Sequence, residues 1–347
     1  MRSVLQSVAI TSLGLVAACG APATPSSPIS VPTDPSASES GGAVSGPASN
    51  LPAGRTVSAE ATISIPLALE LGSGENRIWM LTRDSVTGID PKTNEVAAVI
   101  PLTFEFGGMV EAAGSLWFPD FDGDVLHRYD LESGAWLSDV AVMHHPNRIG
   151  VHDGSLWVAN GHGRRVSRID PVGGKVVATW SPLDDDPAGV SAPPNAFWGT
   201  SSDARQAYAI DPSTNRLATE VAVPFSPCAA QRVGEMTSIA PCIESGQAPQ
   251  VTVIGLSTAS SVTMELPGWA MATLPIDGQP WLPLLERADF DGVAGVSNMI
   301  AIDPSAGDIV DVIRFDPPVY GLTLGFDALW LATADSVLRV PLSELRS

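Results

Sequence analysis

Short runs in which apolar and polar residues alternate, punctuated by Gly, Pro, Asn and Asp, occupy the chain from about residue 56 to its C-terminus. A period of two is that of half-buried β-strands, so the pattern predicts many short strands and tight turns. One stretch displays the unit openly: Gly154-Ser155-Leu156-Trp157-Val158, a polar turn, Val166-Ser167-Arg168-Ile169-Asp170-Pro171, then Lys175-Val176-Val177-Ala178-Thr179-Trp180. Matching tryptophans stand at Trp79, Trp117, Trp157, Trp198, Trp281 and Trp330. The first three steps are 38, 40 and 41 residues, and the step from Trp198 to Trp281 is 83, or two periods, so a copy lacking its Trp is predicted around Met236 to Ile239. Seven copies at a period of about 40 residues are the mark of radial repetition, four strands to a unit. The predicted fold is all-β: a seven-bladed β-propeller of four-stranded antiparallel blades over residues 56–347.

The repeated residues read as scaffold. A Trp at one fixed strand position suits the wedge between neighbouring sheets, where its indole N–H needs a backbone acceptor. Asp90-Pro91, Asp170-Pro171, Asp211-Pro212 and Asp303-Pro304 are each followed by Asn94, Gly174, Asn215 or Gly307. Asp accepts backbone N–H bonds, Pro presets φ, and Gly or Asn takes the left-handed position, so these aspartates are turn formers rather than bases. The last copy ends at Val337 to Leu342 without an outer strand, whereas Val57, Ala59, Ala61, Ile63, Ile65 and Leu67 alternate upstream of the first copy with no partner of their own. Pairing that segment into blade seven closes the ring and removes open sheet edges. The copy without Trp carries Cys228 and Cys242 at ends of its first two strands that a hairpin makes neighbours. A disulfide staple is predicted there, a redox-active pair being the alternative although Cys-x-x-Cys spacing is absent.

The N-terminus has a different character. Arg2 precedes an apolar run from Val4 to Val16, the layout of a secretory signal and too short to span a bilayer with flanks of its own. The run ends in Val16-Ala17-Ala18-Cys19-Gly20, which resembles the lipobox of bacterial lipoproteins. That resemblance implies cleavage before Cys19 and attachment of lipid to its sulfur, hence a cell-membrane protein anchored on the extracytoplasmic side. Residues 1–19 are the signal with its lipobox Cys, and 20–55, rich in Pro, Ser, Ala and Gly, are a tether that buries too little surface to fold.

Charge narrows the partners. Lys and Arg total 18 against 38 Asp and Glu, a net charge of −20 that repels phosphate backbones and excludes nucleic acid. The non-repeating polar residues collect in blades two and three, on the loops joining second to third strands and one blade to the next. His144 and His145 fall on an interblade connection; Asn160, His162, Arg164 and Arg165 on the adjacent hairpin; Asp120, Asp122 and Asp124 on the preceding one; Asp184, Asp185 and Asp186 on the next connection. His144, His145, Asn160, His162, Arg164 and Arg165 are the candidate ligand-binding residues. Asp120, Asp122 and Asp124 are candidate oxygen ligands for calcium, although their order departs from an EF-hand loop; no other cofactor is expected. No Gly-x-Ser-x-Gly, His-Glu-x-x-His or phosphate loop occurs.

The Gly-x-Leu-Trp-Val, Val-x-Arg-Ile-Asp-Pro and Lys-Val-Val-Ala-Thr elements resemble the exported bacterial propellers that include YVTN-type repeat proteins and virginiamycin B lyase-like proteins. The resemblance covers nearly all of the chain beyond the tether and implies the fold. Lyases of that group carry repeated Trp-Phe-Thr-Glu segments with a dedicated His and Glu; here the nearest segment is Trp117-Phe118-Pro119-Asp120, so neither activity nor residues carry over. The expectation is a non-catalytic module binding a protein, peptide or glycan. The alternative is a lyase or hydrolase using His144, His145 or His162 as acid or base.

Overall fold

A computed structural model describes residues 51–346 apart from 66–69, 83, 105–107, 162–164, 181–186, 192–196, 202–203, 212, 234–235, 242–247, 256–260, 271 and 286–294, with backbone alone at 147, 187–191, 197, 228–229 and 232–233. Cys19, the greater part of the 20–55 tether and Cys242 lie outside the described residues, as does the side chain of Cys228. The described chain is almost all strand, its helical content being one 3₁₀ turn at Leu342–Glu344. Seven sheets, antiparallel but for one added edge strand, follow one another around the ring, confirming the seven-bladed propeller.

Blade one runs Glu70–Ser73, Ile78–Leu81, Ser85–Asp90 and Glu95–Pro101; blade three runs Pro146–His152, Ser155–Asn160, Arg165–Asp170 and Lys175–Trp180. Blades four and five repeat the order, with Met236–Pro241 as the second strand of the copy that lacks Trp. There Ser238 stands in place of an indole and pairs its hydroxyl with Thr273 of blade six. Two blades depart from the unit. Blade two has a broken outer strand, Ala135–Trp136 and Val140–Ala141 both pairing with Val125–Asp130. Blade six has a split inner strand, Trp269–Ala270 and Leu274–Ile276 both pairing with Gln279–Leu285.

Ring closure follows the alternation of the sequence. Ala61–Ser64 pairs antiparallel with Ser336–Pro341, so blade seven takes its outer strand from the N-terminal segment. Ile63 and Ile65 enter a core with Leu71, Ile78, Trp330 and Val337, which joins blade seven to blade one. The strand is shorter than the expected alternation, and the segment before it does something unforeseen. Arg55–Thr56 pairs parallel with Asp308–Val319 as an added edge on blade six, and Leu51 packs against the core between blades five and six. Folded structure thus begins before residue 56. Arg55 ties three parts of the chain: Nε and Nη2 donate to Asp311 Oδ2 at 3.1 and 2.9 Å, Nη1 to the Glu344 carbonyl at 2.5 Å, and Nη2 to the Leu345 carbonyl at 2.8 Å. Glu60 forms an ion pair with Arg339 one residue before the closing strand.

All six repeated tryptophans are buried. The indoles of Trp117, Trp157 and Trp330 donate to carbonyls five residues earlier, at Ala112, His152 and Gly325. Trp79 donates instead to Glu111 Oε2 of blade two at 2.6 Å, because the turn before it is longer than the two-residue turns of its counterparts. Burial raises the Glu111 pKa above the ordinary carboxyl value, with the Trp79 hydrogen bond working against it. An arginine lies over several of these rings, Arg128 over Trp117 at 4.9 Å and Arg168 over Trp157 at 5.4 Å, each also donating to Ser115 or Ser155. The aspartates of the Asp-Pro turns accept backbone N–H groups two residues on, as at Asp90, Asp170, Asp211 and Asp303. Asn94, Gly174, Asn215 and Gly307 hold positive φ, as expected of these positions. Asp130 makes a fifth such turn with Leu131 in place of Pro, its carboxyl accepting from Ser133 and its Gly134 at φ 67°.

Candidate functional site

The loops of blades two and three that carry the non-repeating residues are laced together. Asp124 ends the turn of blade two at φ 55° and His145 sits in the interblade connection at φ 59°, both in the left-handed region. One Asp124 oxygen accepts the His145 backbone N–H at 3.0 Å and the other meets His144 Nδ1 at 2.8 Å. The His145 amide, with His144 beside it, holds the Asp124 carboxyl below its ordinary pKa. His145 donates from Nδ1 to the Phe121 carbonyl at 2.8 Å, and its ring lies 3.9 Å from that of Phe121. The Val142 N–H reaches the Asp124 carbonyl, and the His145 carbonyl accepts from Gly161 at the start of the blade-three turn. Three loops therefore share one hydrogen-bonded surface with His144 on its outside, 75% exposed.

His144 has the form of an oriented imidazole: a carboxylate fixes one nitrogen and leaves Nε2 toward solvent, the arrangement that general acid–base chemistry and ligand recognition both use. Asn160 is fully buried, and its NH2 lies within hydrogen-bond reach of the Val158 and Arg165 carbonyls and Ser167 Oγ. These contacts clamp the hairpin from within. Arg165 is half-buried opposite Asn160 at the start of its strand. His162, Arg164 and Asp184 to Asp186 lie outside the described residues.

The three aspartates do not converge. Asp120 Oδ1 accepts the N–H groups of Asp122 and Gly123, and its Oδ2 meets His127 Nε2 at 3.0 Å. Asp122 points outward and Asp124 faces the histidines. Among the described residues no group of three or more His, Cys, Asp and Glu is placed to hold a metal ion. His127, which belongs to no motif of the sequence, stands between two carboxylates, its Nδ1 being 2.8 Å from Asp139. Its signal was position alone, a lone His on the third strand of the blade whose outer strand breaks.

The fold defines the protein as a β-propeller. No protein-family model matches the chain, and no curated protein matches it. Among solved structures, a chain of a mitotic checkpoint complex is similar over 85% of this chain and 95% of that one, with a TM-score of 0.65 at 12% identity. A virginiamycin B lyase from Staphylococcus aureus is similar over 81% of this chain and 98% of that one, with a TM-score of 0.63 at 15% identity. At such identities the likeness is one of fold.

Proposed function

We propose that the protein is a binding module held outside the cell by lipid on Cys19, whose blade-two and blade-three loops engage a protein, peptide or glycan. The observation that carries this reading is the surface laced by Asp124, His144 and His145: a fixed mixture of imidazole, carboxylate and aromatic groups on an otherwise repetitive ring. Recognition surfaces are commonly built so, on loops positioned by a rigid scaffold. The apolar signal ending in Val16-Ala17-Ala18-Cys19 supports the membrane address, and the Pro and Ser-rich tether gives reach above it. Kinship with YVTN-type repeat proteins belongs to the same proposal and rests on the repeat elements of the sequence. So does the disulfide between Cys228 and Cys242, supported by the pairing of Pro227 with Pro241 beside them. Calcium on Asp120, Asp122 and Asp124 would have to displace His127 and His144, and elemental analysis of the purified protein decides it.

Capture from intact cells tests the reading. Wild type retains a partner that His144→Ala/His145→Ala/Arg164→Ala loses at equal folded concentration; identical captures remove this face. Replacement of Cys19 by Ala releases the protein from the membrane fraction, and unchanged partition refutes the anchor.

The Asp124 and His144 pair favours a second reading, a propeller lyase or hydrolase with His144 as acid or base. It requires an activity that falls at least a hundredfold in His144→Ala. Inertness of wild type across a broad lyase and hydrolase substrate panel refutes it.

A further inference from the structure

The six scaffold tryptophans and Trp269 are buried and Trp180 is half-buried; Trp136 is the exception, 41% exposed at the break in the outer strand of blade two. Other rings hold it upright. Tyr129 lies 5.1 Å away at 73°, Phe104 5.5 Å at 80°, and Phe118 5.8 Å at 53°. Phe104 and Phe118 belong to the core shared by blades one and two, so this cluster lines the outer groove between those blades. Two of these contacts are edge-to-face and one is tilted; together they fix the ring while 41% of the residue stays exposed. The indole N–H of Trp136 has no acceptor among the described residues. Leu137 beside it is 39% exposed.

A carboxylate is fixed next to this platform. His127 lies against Phe104 with ring centroids 3.9 Å apart at a tilt of 39° and 6.4 Å from Trp136, and its Nδ1 meets Asp139 Oδ1. Asp139 Oδ2 is left without a partner among the described residues, on a side chain that is 48% exposed. An aromatic face beside an anchored carboxylate attracts a cation twice, through the ring quadrupole and through charge.

The charge of the whole chain selects the same occupant. Of its 18 basic residues, Arg77, Arg128, Arg168 and Arg339 lie over tryptophans, and Arg55 and Arg346 are paired with Asp311 and Asp277. Six of the 18 basic residues are thus held by partners within the chain, and the excess of acidic groups leaves a net charge of −20 that attracts a cationic partner. We propose that the groove between blades one and two docks a lysine or arginine side chain of a basic segment on a protein partner, with Trp136 under the cation and Asp139 beside it. The proposal rests on the reading of the protein as a binding module and adds the chemistry of its partner. Asp120, shared by the groove through His127 and by the loop surface through its turn, joins the two sites.

Titration calorimetry of the purified full chain with an acetylated, amidated Lys-Ala-Lys-Ala-Lys peptide tests it at low and physiological salt. Wild type should bind the peptide, more weakly at the higher salt, and should ignore the same peptide with Glu for Lys. Trp136→Ala and, independently of any effect on packing, Asp139→Asn should each weaken binding about fivefold, while Asp308→Asn on the rim of blade six leaves it unchanged. Binding that all three variants weaken equally, or none weakens, is a diffuse attraction to an acidic surface and overturns the proposal, as does no binding by wild type. The loop variant His144→Ala/His145→Ala/Arg164→Ala separates the two readings. Its retention of the peptide together with loss of the captured cellular partner leaves both standing; loss of the peptide in the loop variant but not in Trp136→Ala moves the basic partner to the loops and removes the groove alone.

Discussion

Replacing Arg55 by Ala probes how the two ends of the chain are held. The substitution deletes two contacts to Asp311 and two to the carbonyls of Glu344 and Leu345, so it loosens the added edge of blade six and the C-terminal turn together. Charge-assisted hydrogen bonds contribute about 1.5–3 kcal/mol when desolvated. Arg55 and Asp311 retain 29% and 24% of their side-chain exposure, which moves their pair toward the surface value of about 1 kcal/mol or less. The carbonyl contacts add about 1 kcal/mol after the cost of ordering a long side chain. The expected loss is about 2 kcal/mol, equivalent to a fall of about 3 °C in Tm for a domain of this size. Thermal and urea unfolding measure it. Asp311→Ala should lose less, since Arg55 keeps both carbonyls, and Arg55→Lys should fall between wild type and Arg55→Ala because an ammonium cannot span all three partners. An Arg55→Ala protein that melts within 1 °C of wild type would show that the guanidinium does not carry the junction and would refute the reasoning.

Glu111→Gln should keep an acceptor for Trp79 while removing a buried charge. Because the folded-state pKa of Glu111 is raised, its contribution to stability is fully present below the unfolded value near 4.5 and is lost as pH rises through the folded value. The variant should therefore be at least as stable as wild type at pH 7 and show a flatter dependence of urea midpoint on pH from about 4.5 upward; a large loss at pH 7 would mean that the charge itself is needed. Gly174→Val places a β-branched side chain at φ 60° and should cost about 1–2 kcal/mol in urea unfolding, a cost absent if the turn relaxes to another type.

The parts of the fold that were legible in the sequence are those that repeat. The Trp period and the Asp-Pro turns are local signals, each expressed within a few residues, and they locate strands and turns without knowledge of tertiary contacts. The closing strand at Ala61–Ser64 was legible because its alternation had no partner nearby. The parallel pairing of Arg55–Thr56 was not, since two residues carry no periodicity and their partners lie more than 250 residues away. The Asp130 turn was hidden by Leu131 in the usual Pro position, although Gly134 kept the spacing. The candidate site was legible as a concentration of polar residues on adjacent loops. Which of them face outward was not: Asn160 resembles a loop ligand in sequence and is fully buried in space. His127 and Trp136 gain significance only from Asp120, Asp139 and Phe104, brought beside them by pairing within blade two and packing against blade one.

The ring that carries the loops of blades two and three is closed by its N-terminal strand, and hydrogen exchange across the pairing of Ala61–Ser64 with Ser336–Arg339 tests closure most directly. Amides bonded across this pairing should exchange as slowly as those of the inner strands, through global unfolding. Exchange there at the rate of exposed turns, with the inner strands still protected, would contradict a ring closed by its N-terminal strand.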